Sequence, residues 1–597
     1  MFFGVLVSAW ASGAAEAAVW HWALALGLLA GALYPASSAN RTWIGAAVAC
    51  LVSWTIFHTL CIGESYSPGG LFQPLFLVTG FALGRRAPVQ DGSQTGLSAA
   101  SWAVVGIVGY ALLASVYSGS RAAAPFETPA VLAALINLAL LPALVRSLWG
   151  SSPTPPGRLI ALAFFFAGLI GAASRSGWIG LLIGLAFAAI VFRGRLPAMR
   201  NALTAAASVC LGSVLVLLLR YARTLLALDA SGTVEQGWAG LAALFLAPSA
   251  MQVDSSLSRL ELYAVALDAA RAHLPLGAGY LSFAQMLESG RERVPSYGSE
   301  NVTVFVHNDY LQTLLELGLP GLCALLAVVL APLFLLLRFR DRLPLADRLR
   351  CCACAGGLAA MTFQASVDFP FFVPVCLAMF GFLLGVLDAR LASAGIGLVE
   401  NLPRLSAAWG ALASVRRVVL ATGLVLLLVP LAAEWSSAYA AARWRKGFGE
   451  EAAYGFELAR RLQPSDWRYA WDAGKFWTAQ AAATRNPRAA SLADASFARG
   501  FASNPLEVKN LLGRIELQAS MPQLLERPAT PNELEAWSVE ALALAPRSPR
   551  VRMERVLVLE RVGKNDEARS EAAKFALDEP ANRAARVLAD RLARRAR

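Results

Sequence analysis

Four side chains in this apolar chain have the types needed for group-transfer chemistry: His307, Arg175, Arg259 and Asp368. His307 opens the run Val306-His307-Asn308-Asp309-Tyr310, and Gly318 and Gly321 follow. The pattern is His-Asn, nine residues, Gly, two residues, Gly. Of the four histidines, this is the one that leads a polar cluster, Asn308 and Asp309, into an apolar run. An ionisable group at the mouth of a membrane helix is costly unless paired, so it is a functional-site candidate. Arg175 lies in Ser174-Arg175-Ser176-Gly177, and Arg259 follows Ser258. Guanidinium groups bind phosphate oxygens bidentately and stay charged at any working pH. A neutral imidazole accepts a proton near pH 7. Each group also has a plainer reading. Arg175 could cap a helix or snorkel, Arg259 could pair with Glu261 or Asp254, and His307 could be hydrogen-bonded without chemistry. Asp368, in Ser366-Val367-Asp368-Phe369-Pro370, is a rival for the role of base; its plainer reading is a helix N-cap.

The elements that hold these groups must sit in lipid. The chain of 597 residues is 57% apolar and 15% charged, against about 25% charged in water-soluble domains. About twelve apolar segments stand out, near 18–35, 44–62, 70–84, 98–118, 129–146, 159–173, 177–192, 202–219, 310–337, 352–366, 369–387 and 418–434. Several reach the roughly 18–20 residues that cross a bilayer. The net charge of +12 comes mostly from arginine. Those arginines flank the apolar segments, which is how membrane helices set their orientation, so no nucleic-acid partner is assigned. Cys351-Cys352-Ala353-Cys354 lacks a second half with metal-ligand spacing and reads as small apolar residues at a helix start. The first residues lack a basic stretch and a cleavage signal, so no removable signal peptide is expected.

Arg85-Arg86, the stretch from Arg146 to Arg158, Arg193 to Arg200, Arg338 to Arg350, and Arg404 to Arg417 fall in every second loop. The positive-inside rule makes these loops cytoplasmic. The turn at Arg175, the loop 220–309 and everything after 435 then face the other side. Within that loop, Trp238 to Leu246 is apolar but too short to span, and reads as an interfacial or re-entrant helix. A helix is expected from Ser258 to about Arg271, broken at Pro275-Leu276-Gly277-Ala278-Gly279-Tyr280. After 435 the pattern turns to amphipathic helices. Pro464, Pro505, Pro546 and Pro580 recur at intervals of 41, 41 and 34 residues, with Val551–Leu559 and Ala568–Leu577 the clearest helical pair. This reads as helix–turn–helix repeats of the tetratricopeptide kind, which usually present a concave binding surface; the alternative is a plain helical bundle. The domains are therefore 1–434, a transmembrane catalytic domain, and 435–597, a soluble repeat domain. Two arginines and a histidine on one face of such a membrane protein suit an acceptor hydroxyl attacking a sugar linked to a lipid diphosphate.

The spacing of His307-Asn308, Gly318 and Gly321 resembles the motif of the O-antigen ligase and polymerase superfamily, which includes bacterial protein O-oligosaccharyltransferases. The Arg175 turn and the run from Ser258-Arg259 to Tyr280 resemble its other recurrent stretches, in the same order. The resemblance covers roughly residues 150–390. It implies an all-α polytopic fold of the C-type glycosyltransferase kind. It also implies an inverting enzyme of the bacterial inner membrane, with its active site and C-terminal domain on the periplasmic side. The donor would be an undecaprenyl-diphosphate-linked glycan, with no metal and no cofactor. The acceptor would be a glycan, lipid A-core or protein. Arg175 and Arg259 would hold the diphosphate, His307 would activate the acceptor, and Asn308, Gly318 and Gly321 would support the motif. Residues 60–68 lack the His-Pro-Trp-type signature of the protein-glycosylating members. The C-terminal repeats depart from compact lipopolysaccharide ligases and point to a protein partner. A lipid-linked glycan transporter is the rival class; it would show related halves and broken helices at mid-membrane.

Overall fold

The computed structural model describes residues 42–62, 69–86, 94–118, 121–225, 250–290, 305–398, 429, 432–433 and 435–595, apart from isolated positions within those ranges. The described residues are helical throughout, with one isolated β-bridge between Thr42 and Leu398. The membrane part comprises α1 (Trp43–Cys61), α2 (Gly69–Arg86), α3 (Gln94–Ser118), α4 (Pro129–Trp149), α5 (Pro156–Ala172), α6 (Arg175–Phe192), α7 (Met199–Leu225), α8 (Ala250–Ala272), α9 (Phe283–Gly290), α10 (Asp309–Phe339), α11 (Leu345–Gln364) and α12 (Pro374–Ser393). Ten of the twelve apolar segments fall on these helices; those near 18–35 and 418–434 lie largely outside the described residues, as does Trp238–Leu246. Among the described residues five helices are long and apolar enough to cross a bilayer: Pro129–Trp149, Arg175–Phe192, Met199–Leu219, Asp309–Arg342 and Pro374–Ser393. The chain is a multi-pass membrane protein.

α4 is the central post. It is apolar all round, the pattern of a helix enclosed by others, and every residue from Val131 to Val145 is buried. Thr128 caps it and Pro129 stands at its first turn, where a missing N–H costs nothing. α11 packs against both α4 and α6, and α12 against α2. The last pair is set by small residues. Gly80 and Gly84 on α2 meet Gly381 and Gly385 on α12. A Cβ at Gly84 would lie 2.1 Å from the Phe382 carbonyl oxygen, and one at Gly385 2.1 Å from that of Phe81. Close backbone approach of this sort replaces the hydrophobic drive that lipid cannot supply. α7 is the opposite case: Leu203, Leu211, Val214 and Leu218 are exposed, a face suited to lipid.

Arg340 donates from Nη1 to the Ile190 carbonyl at 2.9 Å. The C-terminal ends of α10 and α6 therefore lie side by side, together with Arg193, Arg195, Arg348 and Arg350. The N-terminal ends, which carry His307 and Arg175, face the other way. Helices α13 (Gly449–Leu462), α14 (Trp467–Thr484), α15 (Pro487–Ser503), α16 (Val508–Ser520), α17 (Pro531–Leu544), α18 (Pro549–Arg561), α19 (Asn565–Asp578) and α20 (Arg583–Arg594) follow, each packed on its neighbour in the chain. The expected pair 551–559 and 568–577 is α18 and α19. Pro464, Pro505 and Pro546 stand in the turns between helices, and Pro580 lies outside the described residues. α17 touches α9, which places this region at the His307 end of the bundle.

Candidate active site

The site is built where α10 begins. Asn308 caps the helix: its Oδ1 accepts from the N–H groups of Tyr310 and Leu311 at 3.1 and 3.0 Å. Asp309 is fully buried, and its Oδ2 accepts from the Phe371 N–H at 2.8 Å while its own N–H donates to the Ala365 carbonyl at 2.7 Å. Tyr310 Oη donates to the Thr362 carbonyl at 2.7 Å. These bonds stitch the start of α10 to the turn between α11 and α12, the turn that carries Asp368.

Asp368 therefore lies against His307. Imidazole Nδ1 is 3.4 Å from Oδ1, within ion-pair reach but off the line of a hydrogen bond. Arg259 Nη2 lies 3.9 Å from Oδ2 on the other side. The three side chains form one cluster with graded exposure: 2% for Asp368, 16% for His307 and 36% for Arg259. Phe369 meets the imidazole edge-on at 5.0 Å and stacks on Phe305 at 4.2 Å. Asp368 is not the cap of a long helix; its Oδ1 accepts from the next residue, Phe369, at 3.1 Å. Asp368 and His307, rivals for one role on sequence grounds, are neighbours here.

Arg259 arrives on α8, which starts at Ala250 rather than at Ser258, because no proline or glycine interrupts the stretch between them. Leu262, Val265 and Ala266 bury its apolar face against Ala278, Phe283 and Leu315. One turn after Arg259, Tyr263 Oη donates to the His307 carbonyl at 2.8 Å. Burial pushes the Tyr263 phenol above its ordinary range, so it remains a neutral donor. His307 itself has φ +60°, a left-handed conformation that costs a side-chain-bearing residue about 1–2 kcal/mol.

Two glycine-containing motifs turn out to be one joint. α10 breaks at Gly318, whose φ is +69°. The carbonyls of Leu315, Glu316 and Leu317 are captured by Ala278 N, Gly279 N and Trp54 Nε1 at 2.9, 3.0 and 2.9 Å. Leu319 N donates to the Pro275 carbonyl at 2.9 Å, and His58 Nε2 bonds the Leu276 carbonyl at 2.8 Å. Gly277, at φ +91°, passes so close that an added Cβ would sit 2.5 Å from Gly318 N. Gly321 sits beside Trp54, whose Nε1 would be 3.3 Å from a Cβ there.

Arg175 is the first residue of α6, exposed, behind a left-handed Ala173 and a Ser174 cap. Its helix is locked to the site by polar atoms. Asn137 Nδ2 donates to the Gly177 carbonyl at 2.8 Å and to Gln364 Oε1 at 3.1 Å, and Gln364 ends α11 just before Asp368. The structure thus brings His307, Asp368 and Arg259 together and puts Arg175 at the same end on an adjacent helix. Among the described residues no group of three or more His, Cys, Asp or Glu could hold a metal ion; Cys351, Cys352 and Cys354 are buried within α11.

Residues 160–326 match the family model described as O-antigen ligase. That segment is what the chain shares with the O-antigen ligase family, and it supports a place in the O-antigen ligase and polymerase superfamily. The match contains Arg175, Arg259, His307 and both glycine motifs, and stops before Asp368. It supports an O-antigen ligase-type glycosyltransferase. No curated protein matches the chain. Sequence reasoning missed Tyr263, Trp54, His58, Asn137 and Gln364. Only Tyr263 carried a signal, standing four residues after Arg259 on the same helical face.

Proposed function

We propose that this protein transfers a glycan from an undecaprenyl-diphosphate carrier to an acceptor hydroxyl at the periplasmic face of the bacterial inner membrane. The observation that carries the reading is the His307–Asp368–Arg259 cluster at the end of the bundle opposite the arginine-rich loops. By the positive-inside rule that end is periplasmic, and the contact of α17 with α9 is consistent with C-terminal helices on the same side.

In this reading the acceptor O–H approaches His307 Nε2, since Nδ1 is turned to Asp368. The acceptor oxygen attacks the anomeric carbon, its proton passes to Nε2, and the bond from that carbon to the diphosphate oxygen breaks. The electron pair leaves with the undecaprenyl diphosphate. Arg259, with Arg175 at the same end, holds the departing charge. Asp368 orients the ring and offsets the imidazolium, the arrangement in which a base is itself oriented by a third group. In-line attack inverts the anomeric centre. A positioned base is worth about 10²–10⁴ in rate, and charge stabilisation adds to it. The reading further takes 435–597 as a tetratricopeptide-like domain that selects the acceptor or a partner protein.

The test is transfer by purified protein from a lipid-diphosphate glycan donor to acceptor, without an ion gradient. His307→Ala, Arg259→Ala and Arg175→Ala should each abolish product at normal membrane levels. Full activity of His307→Ala removes the role given to it, and no product from the intact protein under any donor and acceptor pairing favours transport.

A further inference from the structure

His307 holds a backbone conformation that ordinary residues avoid, and it does so directly ahead of the α10 cap. Its carbonyl stands outside the helical ladder: the first ladder bond runs from Gln312 N to the Asn308 carbonyl at 2.9 Å. A carbonyl in that position must find its partner outside the helix. Tyr263 Oη fills the place at 2.8 Å. Strained backbone persists only when its surroundings over-determine it. The residues on either side are fixed by other means, Val306 N on Gln312 Oε1 at 3.0 Å and Asp309 N on the Ala365 carbonyl at 2.7 Å.

We propose that Tyr263 is a positioning residue that pins His307 in its left-handed conformation and couples it to the helix carrying Arg259. Because α8 delivers both Arg259 and Tyr263, one helix sets the phosphate-binding cation and the ring that meets the acceptor. A donor that draws Arg259 inward moves the His307 carbonyl with it. Tyr263 touches no reacting atom; it acts through His307. The inference rests on the reading of His307 as the group that activates the acceptor.

Tyr263→Phe removes one oxygen and keeps the ring that packs on α8. In the transfer assay with full-length protein, kcat per folded molecule should fall about 10- to 100-fold, the scale of an ångström-level misplacement. KM for the lipid-linked donor should stay within about twofold, because Arg259 is intact. Diethylpyrocarbonate should modify His307, read by peptide mass, several-fold faster in the variant, because the ring is freed from its largely buried seat. A merely structural tyrosine would lower the melting temperature and leave kcat and His307 reactivity of the folded fraction unchanged. That outcome overturns the proposal while the site reading stands. Full activity of His307→Ala overturns both.

Discussion

A Cβ placed on Gly318 would lie 2.2 Å from the carbonyl oxygen of Pro275. The site depends on that crossing, because it is where the loop that brings in Arg259 is fastened to the helix that follows His307. Gly318→Ala therefore meets two penalties, the left-handed φ of +69° and a backbone collision that no rotamer relieves. Gly395 has the same φ of +69° and nothing within 4 Å, so Gly395→Ala isolates the first penalty, about 1 kcal/mol. We expect Gly318→Ala to abolish transfer and reduce membrane levels, and Gly395→Ala to do neither. Equal behaviour of the two in immunoblot and transfer assays would mean that the crossing carries no weight.

The α2–α12 pair makes a second prediction, about stability. Gly385→Leu must push Phe81 and its helix away, since even a methyl group would sit 2.1 Å from the Phe81 carbonyl oxygen. The Arg85–Asp388 ion pair, 3.1 Å apart at the end of the same interface with the carboxylate buried and the guanidinium half-buried, would part as well. Detergent-solubilised Gly385→Leu should lose several degrees of melting temperature or fail to extract as a monodisperse species. Gly106, with nothing within 4 Å of an added Cβ, is the control: Gly106→Leu should extract and melt as the parent does.

A third prediction concerns pH. Glu554 is buried in α18, and burial, with Glu516 nearby and Arg550 opposing, pushes its carboxyl up to about 7. The folded state then binds a proton more tightly than the unfolded state, whose carboxyl has the ordinary value near 4.5. Stability from this group is full below about pH 4.5, falls as pH rises toward 7, and is flat above that. The ceiling is about 3 kcal/mol, from about 1.4 kcal/mol for each pH unit. Hydrogen exchange over Pro549–Arg561 should quicken between pH 5 and 7.5 beyond its intrinsic base catalysis. Glu554→Gln should remove that excess; an unchanged excess in the variant would assign it elsewhere.

The helices were legible because a bilayer demands long apolar runs, and the ten described segments among the twelve are helices for that reason. Each motif was legible alone, from residue type. Their joining was not. The Pro275–Tyr280 turn and Gly318 meet through backbone amides and carbonyls, which leave no mark on side-chain pattern. Asp368 reaches His307 only because Asp309 binds the far turn at Phe371 and Tyr310 binds the end of α11 at Thr362. Those are contacts between helices, and spacing along the chain does not encode them. The paired glycines of α2 and α12 stood at four-residue spacing in the sequence, a readable signal whose partner face only the packing reveals.

The pairing of His307 with Asp368 yields the most direct chemical prediction. If Asp368 orients the imidazole and offsets its charge, Asp368→Asn keeps the size and loses the charge at the moment the ring takes a proton. The loss should then fall on kcat, about 10²-fold or more, with donor KM little changed because Arg259 still faces the diphosphate. Asp368→Glu keeps the charge but crowds a side chain that is 2% exposed, so it should recover only part of the rate. Arg259→Lys should show the converse, a raised donor KM from losing the bidentate fork with a smaller change in kcat. Steady-state kinetics on the three variants, with membrane levels matched by immunoblot, separate the two roles. Were Asp368→Asn to raise donor KM and spare kcat, the carboxylate would be holding Arg259 in place rather than serving the histidine.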